Sequence, residues 1–132
     1  MIVSTATVSL PVTTFTAAIL ALLVFGLAVY TMAQRVVHDQ SWGDGGDPTM
    51  RLAIRAHGNL VEYAPIFVIL MALLELRGAD PTWLAVMASV FVFARVVYVA
   101  YSLVAQKLPL RILGFWGSAA PIAAGGVWLL MA

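Results

Sequence analysis

The chain has 132 residues, of which 63% are hydrophobic and 10% charged, with seven Lys or Arg, six Asp or Glu and a formal net charge of +1. A soluble domain usually carries about 25% charged residues. This chain lacks the charge to cover a water-facing globule, to remain disordered, or to offer a basic face to nucleic acid, and it reads as a small membrane protein.

Residues 1–34 contain no charged side chain, and further uncharged runs cover 63–74, 81–94, 96–106 and 112–132. A hydrocarbon core about 30 Å thick takes about 20 helical residues. Four spans follow, near residues 10–33, 52–76, 82–105 and 110–130, within one domain covering 1–132. Unbroken apolar runs argue for helices and against the alternation of about ten residues expected in a membrane β-barrel. The first run lacks the positive n-region of a signal peptide and exceeds the usual apolar length, so it reads as a retained helix. There is no cysteine, which removes disulfides, a protein thiolate and cysteine-based metal sites.

The first helix leads into the only sizeable polar connection, residues 34–50, QRVVHDQSWGDGGDPTM, where Gly43, Gly45, Gly46 and Pro48 mark turns. The second connection ends a helix at RGADP, and Asp80 before Pro81 and Thr82 reads as a helix start. The third, around 106–109, is tighter. Connections this short make successive helices antiparallel neighbours in an up-down bundle. Arg35, Arg51, Arg55, Lys107 and Arg111 belong to the first and third connections, against Arg77 on the other side. The positive-inside rule therefore expects those two connections to be cytoplasmic and both termini outside. In the fourth helix Gly114, Ser118, Pro121 and Gly125 share one stripe, a pattern that lets membrane helices approach closely. Pro65 and Pro121 fall inside helices, where each removes a backbone hydrogen bond. Trp42, Trp83, Trp116 and Trp128 mostly lie near span ends, as interfacial anchors do.

The few polar residues inside spans need partners. On a helical wheel Arg51, Asn59 and Glu62 all fall within about 40° of Arg55, whereas Tyr63 lies about 80° away and His57 nearly opposite. In the third helix Ser102 and Gln106 fall within about 20° of Arg95, with Tyr98 about 60° and Tyr101 about 120° away. A charge facing lipid at mid-helix costs roughly 2.5–3.5 kcal/mol on insertion scales. Glu62 and Arg95 are thus expected to face protein, water or a ligand, or to sit near an interface. One reading is an ion pair of Glu62 with Arg95 or Arg55. That leaves Arg51, Arg55 and Arg111 without buried partners, and the excess of arginine fits an anionic ligand or an anionic lipid headgroup. A single His57 is weak support for a metal or a general base, and no metal site is expected. A hydrogen bond near the helix start suits it better. Tyr98 and Tyr101 also read as interfacial aromatics, Tyr98 sharing the face of Arg95.

The run RAHGNLVEYAPIF, with Arg55, Ala56, Asn59, Glu62, Tyr63 and Pro65 in place, resembles the signature of the MAPEG superfamily, the membrane-associated proteins in eicosanoid and glutathione metabolism. The Arg95-x-x-Tyr98 pair, Arg111 opening the fourth helix, and the order of four hydrophobic segments extend the similarity across nearly the whole chain. The small bacterial members resemble it best. The resemblance implies a homotrimer of four-helix subunits with glutathione bound between neighbours. It implies second-helix contacts from Arg55, Asn59, Glu62 and Tyr63 and third-helix contacts from Arg95 and Tyr98. Arg51 joins this set through its place on the stripe, and Arg35 is a looser match to an arginine at the end of the first helix. Arg111 resembles the arginine that stabilises the glutathione thiolate, with a role only as an interfacial anchor as the alternative. Two departures stand out. Eicosanoid-type members carry a second tyrosine where this chain has Ser102, with Tyr101 one step earlier, and the interval from Arg95 to Arg111 is longer and includes Pro109.

The expectation is a glutathione transferase-like protein of a bacterial inner membrane. It would conjugate glutathione to a hydrophobic co-substrate arriving among the membrane lipids, or reduce lipid hydroperoxides. A non-catalytic protein with a structural or lipid-binding role is the alternative. A transporter is a weaker third, because no inverted repeat or broken-helix pair is visible.

Overall fold

The computed structural model describes residues 9–105 and 107–131. Four long helices account for nearly all of them: α1 (Pro11–Val37), α2 (Pro48–Leu76), α3 (Pro81–Ala100), and α4 (Leu108–Met131). A single π-helical turn, Tyr101–Ala105, extends α3. All four spans are long and apolar enough to cross a bilayer, and no strand occurs among the described residues. Gln106, expected on the Arg95 face, and residues 1–8 lie outside the described residues.

The helix starts follow from proline placement. Pro11, Pro48 and Pro81 open α1, α2 and α3, and Pro109 is the second residue of α4. Proline suits the first turn because its missing N–H would have no partner there. Asp47 caps α2 by accepting from Met50 N at 2.8 Å. That cap explains why α2 begins four residues before the expected span. Asp80 caps α3 through Thr82 N at 2.8 Å and Trp83 N at 3.2 Å. The end of α2 is a Schellman motif, with Gly78 at φ +76° and bonds Gly78 N to Glu75 O and Ala79 N to Leu74 O. The helices continue through Pro65 and Pro121.

The cap of α1 comes from another helix. Leu10 offers no side-chain cap, and Glu75 in the last turn of α2 accepts from Val12 N at 3.0 Å and Thr13 N at 2.8 Å. Near the other ends of the same two helices, Thr31 Oγ1 donates to Ala53 O at 3.3 Å. Arg77, past the end of α2, donates to Leu129 O near the end of α4 at 3.2 Å. Arg95, late in α3, reaches Gly114, early in α4. These pairings make successive helices antiparallel, as expected.

The core lies where α2 meets α1 and α3, with partly buried side chains of α4 packed against it. Phe67 and Phe91 stack with centroids 3.9 Å apart, surrounded by Leu60, Met71, Leu74, Leu84 and Ala88. The stripe of Gly114, Ser118, Pro121 and Gly125 is buried, and it packs. A Cβ on Gly114 would stand 2.8 Å from Tyr98 Cβ and 3.1 Å from Tyr98 Cα, so glycine sets the closeness of α3 and α4. Outward apolar side chains such as Phe15, Phe25, Phe93 and Leu130 remain exposed along the spans, where lipid tails would meet them.

Candidate functional site

The polar stripe of α2 faces a cleft at the end of the bundle where the first and third connections lie. Arg55, Asn59, Glu62 and Tyr63 form one wall, Tyr98 of α3 contributes the base, and Leu108, Arg111, Ile112, Phe115 and Trp116 of α4 form the other wall. Its volume is about 510 Å³, within the range of ligand pockets, about 300–1,000 Å³. Larger grooves beside α4 are lined by Trp83, Val86, Met87, Pro121, Trp128 and other apolar residues, with no titratable side chain. The arginine-rich cleft is where polar chemistry and an apolar wall meet.

Arg95 lies beneath the cleft and not in its lining. It is 2% exposed, donating to Asn59 Oδ1 and, at 2.7 Å, to the carbonyl of Gly114. Its guanidinium carbon sits 5.1 Å from the Tyr63 ring centroid, 5.7 Å from Phe91 and 5.3 Å from Tyr98. Aromatic faces attract a cation at such distances. This also explains how Tyr63, well off the wheel stripe, joins the site. Arg55, Glu62 and Arg111 stay exposed, and none of them pairs with another side chain among the described residues. The alternative reading, an ion pair of Glu62 with Arg95 or Arg55, is therefore not formed among the described residues. Arg95 is drawn to oxygens on two other helices, which leaves the Glu62 carboxylate facing the cleft. His57 makes no side-chain hydrogen bond among the described residues, contrary to expectation.

Two sequence candidates fall outside the cleft. Arg51 Nε donates to Asp44 Oδ2 at 2.6 Å in the first connection. Arg35 Nη1 donates to the carbonyls of Gln40, Ser41 and Gly43, each at 3.2 Å, and fastens that connection to the end of α1. Asp44, held by Arg51 and by the backbone N–H of Gly46, has its carboxyl below the usual carboxylate range. In the third helix, the π turn follows the site. Ser102 is buried at 1% exposure, while Tyr101 leans on Tyr98 with ring centroids 5.8 Å apart and stays out of the cleft lining. The sequence reading missed Leu108, Ile112 and Phe115, and it read Trp116 only as an anchor. Their apolar character is the same as that of lipid-facing neighbours. It also missed the Gly114 carbonyl, for which the small-residue stripe was the available signal.

Four spanning helices with a polar cleft at one end define an integral membrane helix bundle. The description "MAPEG family" matches residues 13–131, and the chain belongs to that family. It is similar to the protein named Inner membrane protein YecN in two strains of Escherichia coli, K12 and O6:H1 CFT073, with 36% identity over 74 residues in each. The matched stretch is 56% of this chain and 56% of each relative, so the chain spans about half the length of these relatives in alignment. No solved structure matches the chain.

Proposed function

We propose that the cleft binds glutathione and that the protein is a glutathione transferase-like enzyme of a bacterial inner membrane. The relatives' name supports the compartment. The observation that carries the reading is the convergence of Arg55, Arg111, Asn59, Glu62, Tyr63 and Tyr98 on one cleft with an apolar wall. Glutathione brings two carboxylates and one ammonium group. Arg55 suits a carboxylate, Arg111 the thiolate and Glu62 the ammonium, and the buried charge of Arg95 adds to the positive field. Ile112, Phe115 and Trp116 offer a path for an apolar partner entering from lipid.

Arg111 stands at the cleft edge, where a cation favours the ionised thiol and lowers its pKa from about 8.5. The thiol proton passes to solvent, the sulfur forms a bond to the electrophilic carbon, and the leaving group departs with its electron pair. The homotrimer that the family resemblance implies is part of this proposal, with Arg35 and Arg51 of the first connection supplied to the cleft by a neighbouring subunit. The first and third connections are then cytoplasmic, in line with their basic residues.

Isothermal calorimetry on detergent-purified protein tests this. Glutathione should bind, and Arg55→Ala should weaken it by roughly tenfold or more, the cost of a charged hydrogen bond. Arg111→Ala should spare binding but lower the conjugation rate and shift its pH midpoint upward. A second reading is favoured by Arg111 and Lys107, both exposed at the same bilayer edge: an anionic lipid headgroup fills the cleft and no chemistry follows. Under it, added glutathione leaves thermal stability unchanged, whereas anionic lipid raises it.

A further inference from the structure

Asn59 lines the cleft, and its Oδ1 is taken by Arg95. A carboxamide has one acceptor end and one donor end, whereas a guanidinium only donates. The –NH2 end of Asn59 therefore cannot turn toward Arg95 without setting donor against donor. Arg95 itself has little freedom to move. It is 2% exposed, its second hydrogen bond is to the Gly114 carbonyl, and three aromatic rings surround it. Gly114 is held against Tyr98 so closely that no Cβ would fit.

We propose that Arg95 is a positioning residue that locks the Asn59 carboxamide with its N–H donors toward the cleft, so that this subsite selects a hydrogen-bond acceptor, the carbonyl oxygen of a peptide group. The proposal rests on the cleft being a glutathione site, and it assigns Arg95 an indirect part in place of ligand contact. A ligand placing an N–H at this point meets donors and is rejected, because a buried donor facing a donor keeps its full desolvation cost.

Asn59 is the chain's single asparagine, so ¹⁵N-asparagine labelling of the full-length protein in detergent yields one side-chain NH2 pair by NMR. That pair should be resolved without ligand and should shift on titration with glutathione. Asn59→Asp gives Arg95 a carboxylate partner but removes the donors. It should retain or raise thermal stability while weakening glutathione binding roughly tenfold. Arg95→Gln, neutral yet able to donate to Asn59 Oδ1, should retain clearly more binding than Arg95→Leu. The proposal is overturned if glutathione binds calorimetrically without moving the NH2 pair, if Asn59→Asp binds like wild type, or if the Gln and Leu variants lose binding equally, the signature of a charge effect. Should wild type fail to bind glutathione, the functional reading falls and the NH2 pair alone decides the lock. A pair sharp in wild type and Arg95→Gln but broadened in Arg95→Leu supports it, and identical spectra in all three overturn it.

Discussion

Burying a guanidinium without a carboxylate is costly, and Arg95 does so at 2% exposure. Three rings and two neutral oxygens offset part of the desolvation, and Nε makes no hydrogen bond among the described residues. The cleft above it then holds Arg55 and Arg111 against Glu62 alone, so an anion entering it meets a net positive field. At the opposite extreme of exposure, Asp44 pairs with Arg51 outside the bilayer spans, and its carboxyl is held below the usual range. A depressed folded-state pKa gives stability that is present above the unfolded value, near 3.8, and is lost as pH falls through the folded value. Thermal unfolding of wild type and Asp44→Asn should therefore differ slightly, in favour of wild type, at neutral pH. The two should converge as pH drops below that unfolded value. The difference is expected to be small because both partners are exposed to screening solvent.

Two helix contacts carry testable weight. Glu75 satisfies two N–H groups at the start of α1 from a position more than sixty residues away in sequence. Glu75→Ala should cost about 1.5–3 kcal/mol in equilibrium unfolding, the worth of hydrogen bonds to a charged group. Glu75→Gln, with one acceptor oxygen, should cost less. Gly114 sets the approach of α3 to α4, and Gly114→Ala pushes a methyl against Tyr98 Cβ and Cα, neither of which yields cheaply. A loss of about 1–3 kcal/mol is expected, as for other overpacked sites. The same change should displace the carbonyl that anchors Arg95, so glutathione binding should weaken in step with stability. Unchanged binding in a destabilised Gly114→Ala protein would separate the packing of α4 from the site.

Across the molecule, the spans were legible because charge is absent over long runs. The cleft was legible where helical periodicity aligns Arg55, Asn59 and Glu62, and this second-helix run also carries the resemblance. Periodicity does not report depth, so Arg95 reads as a ligand contact although it is buried under Asn59. Nor does it separate cleft-facing Ile112 and Phe115 from lipid-facing neighbours, since both surfaces reward the same side chains. The π turn at Tyr101–Ala105 and the cap from Glu75 depend on contacts between distant helices, which local pattern does not carry. Native mass spectrometry from detergent micelles, with increasing glutathione and with Arg55→Ala alongside, tests glutathione binding most directly. The account predicts a trimer that takes up to one glutathione per protomer, with the adducts lost in Arg55→Ala. A wild-type protein that binds no more glutathione than the variant would contradict it.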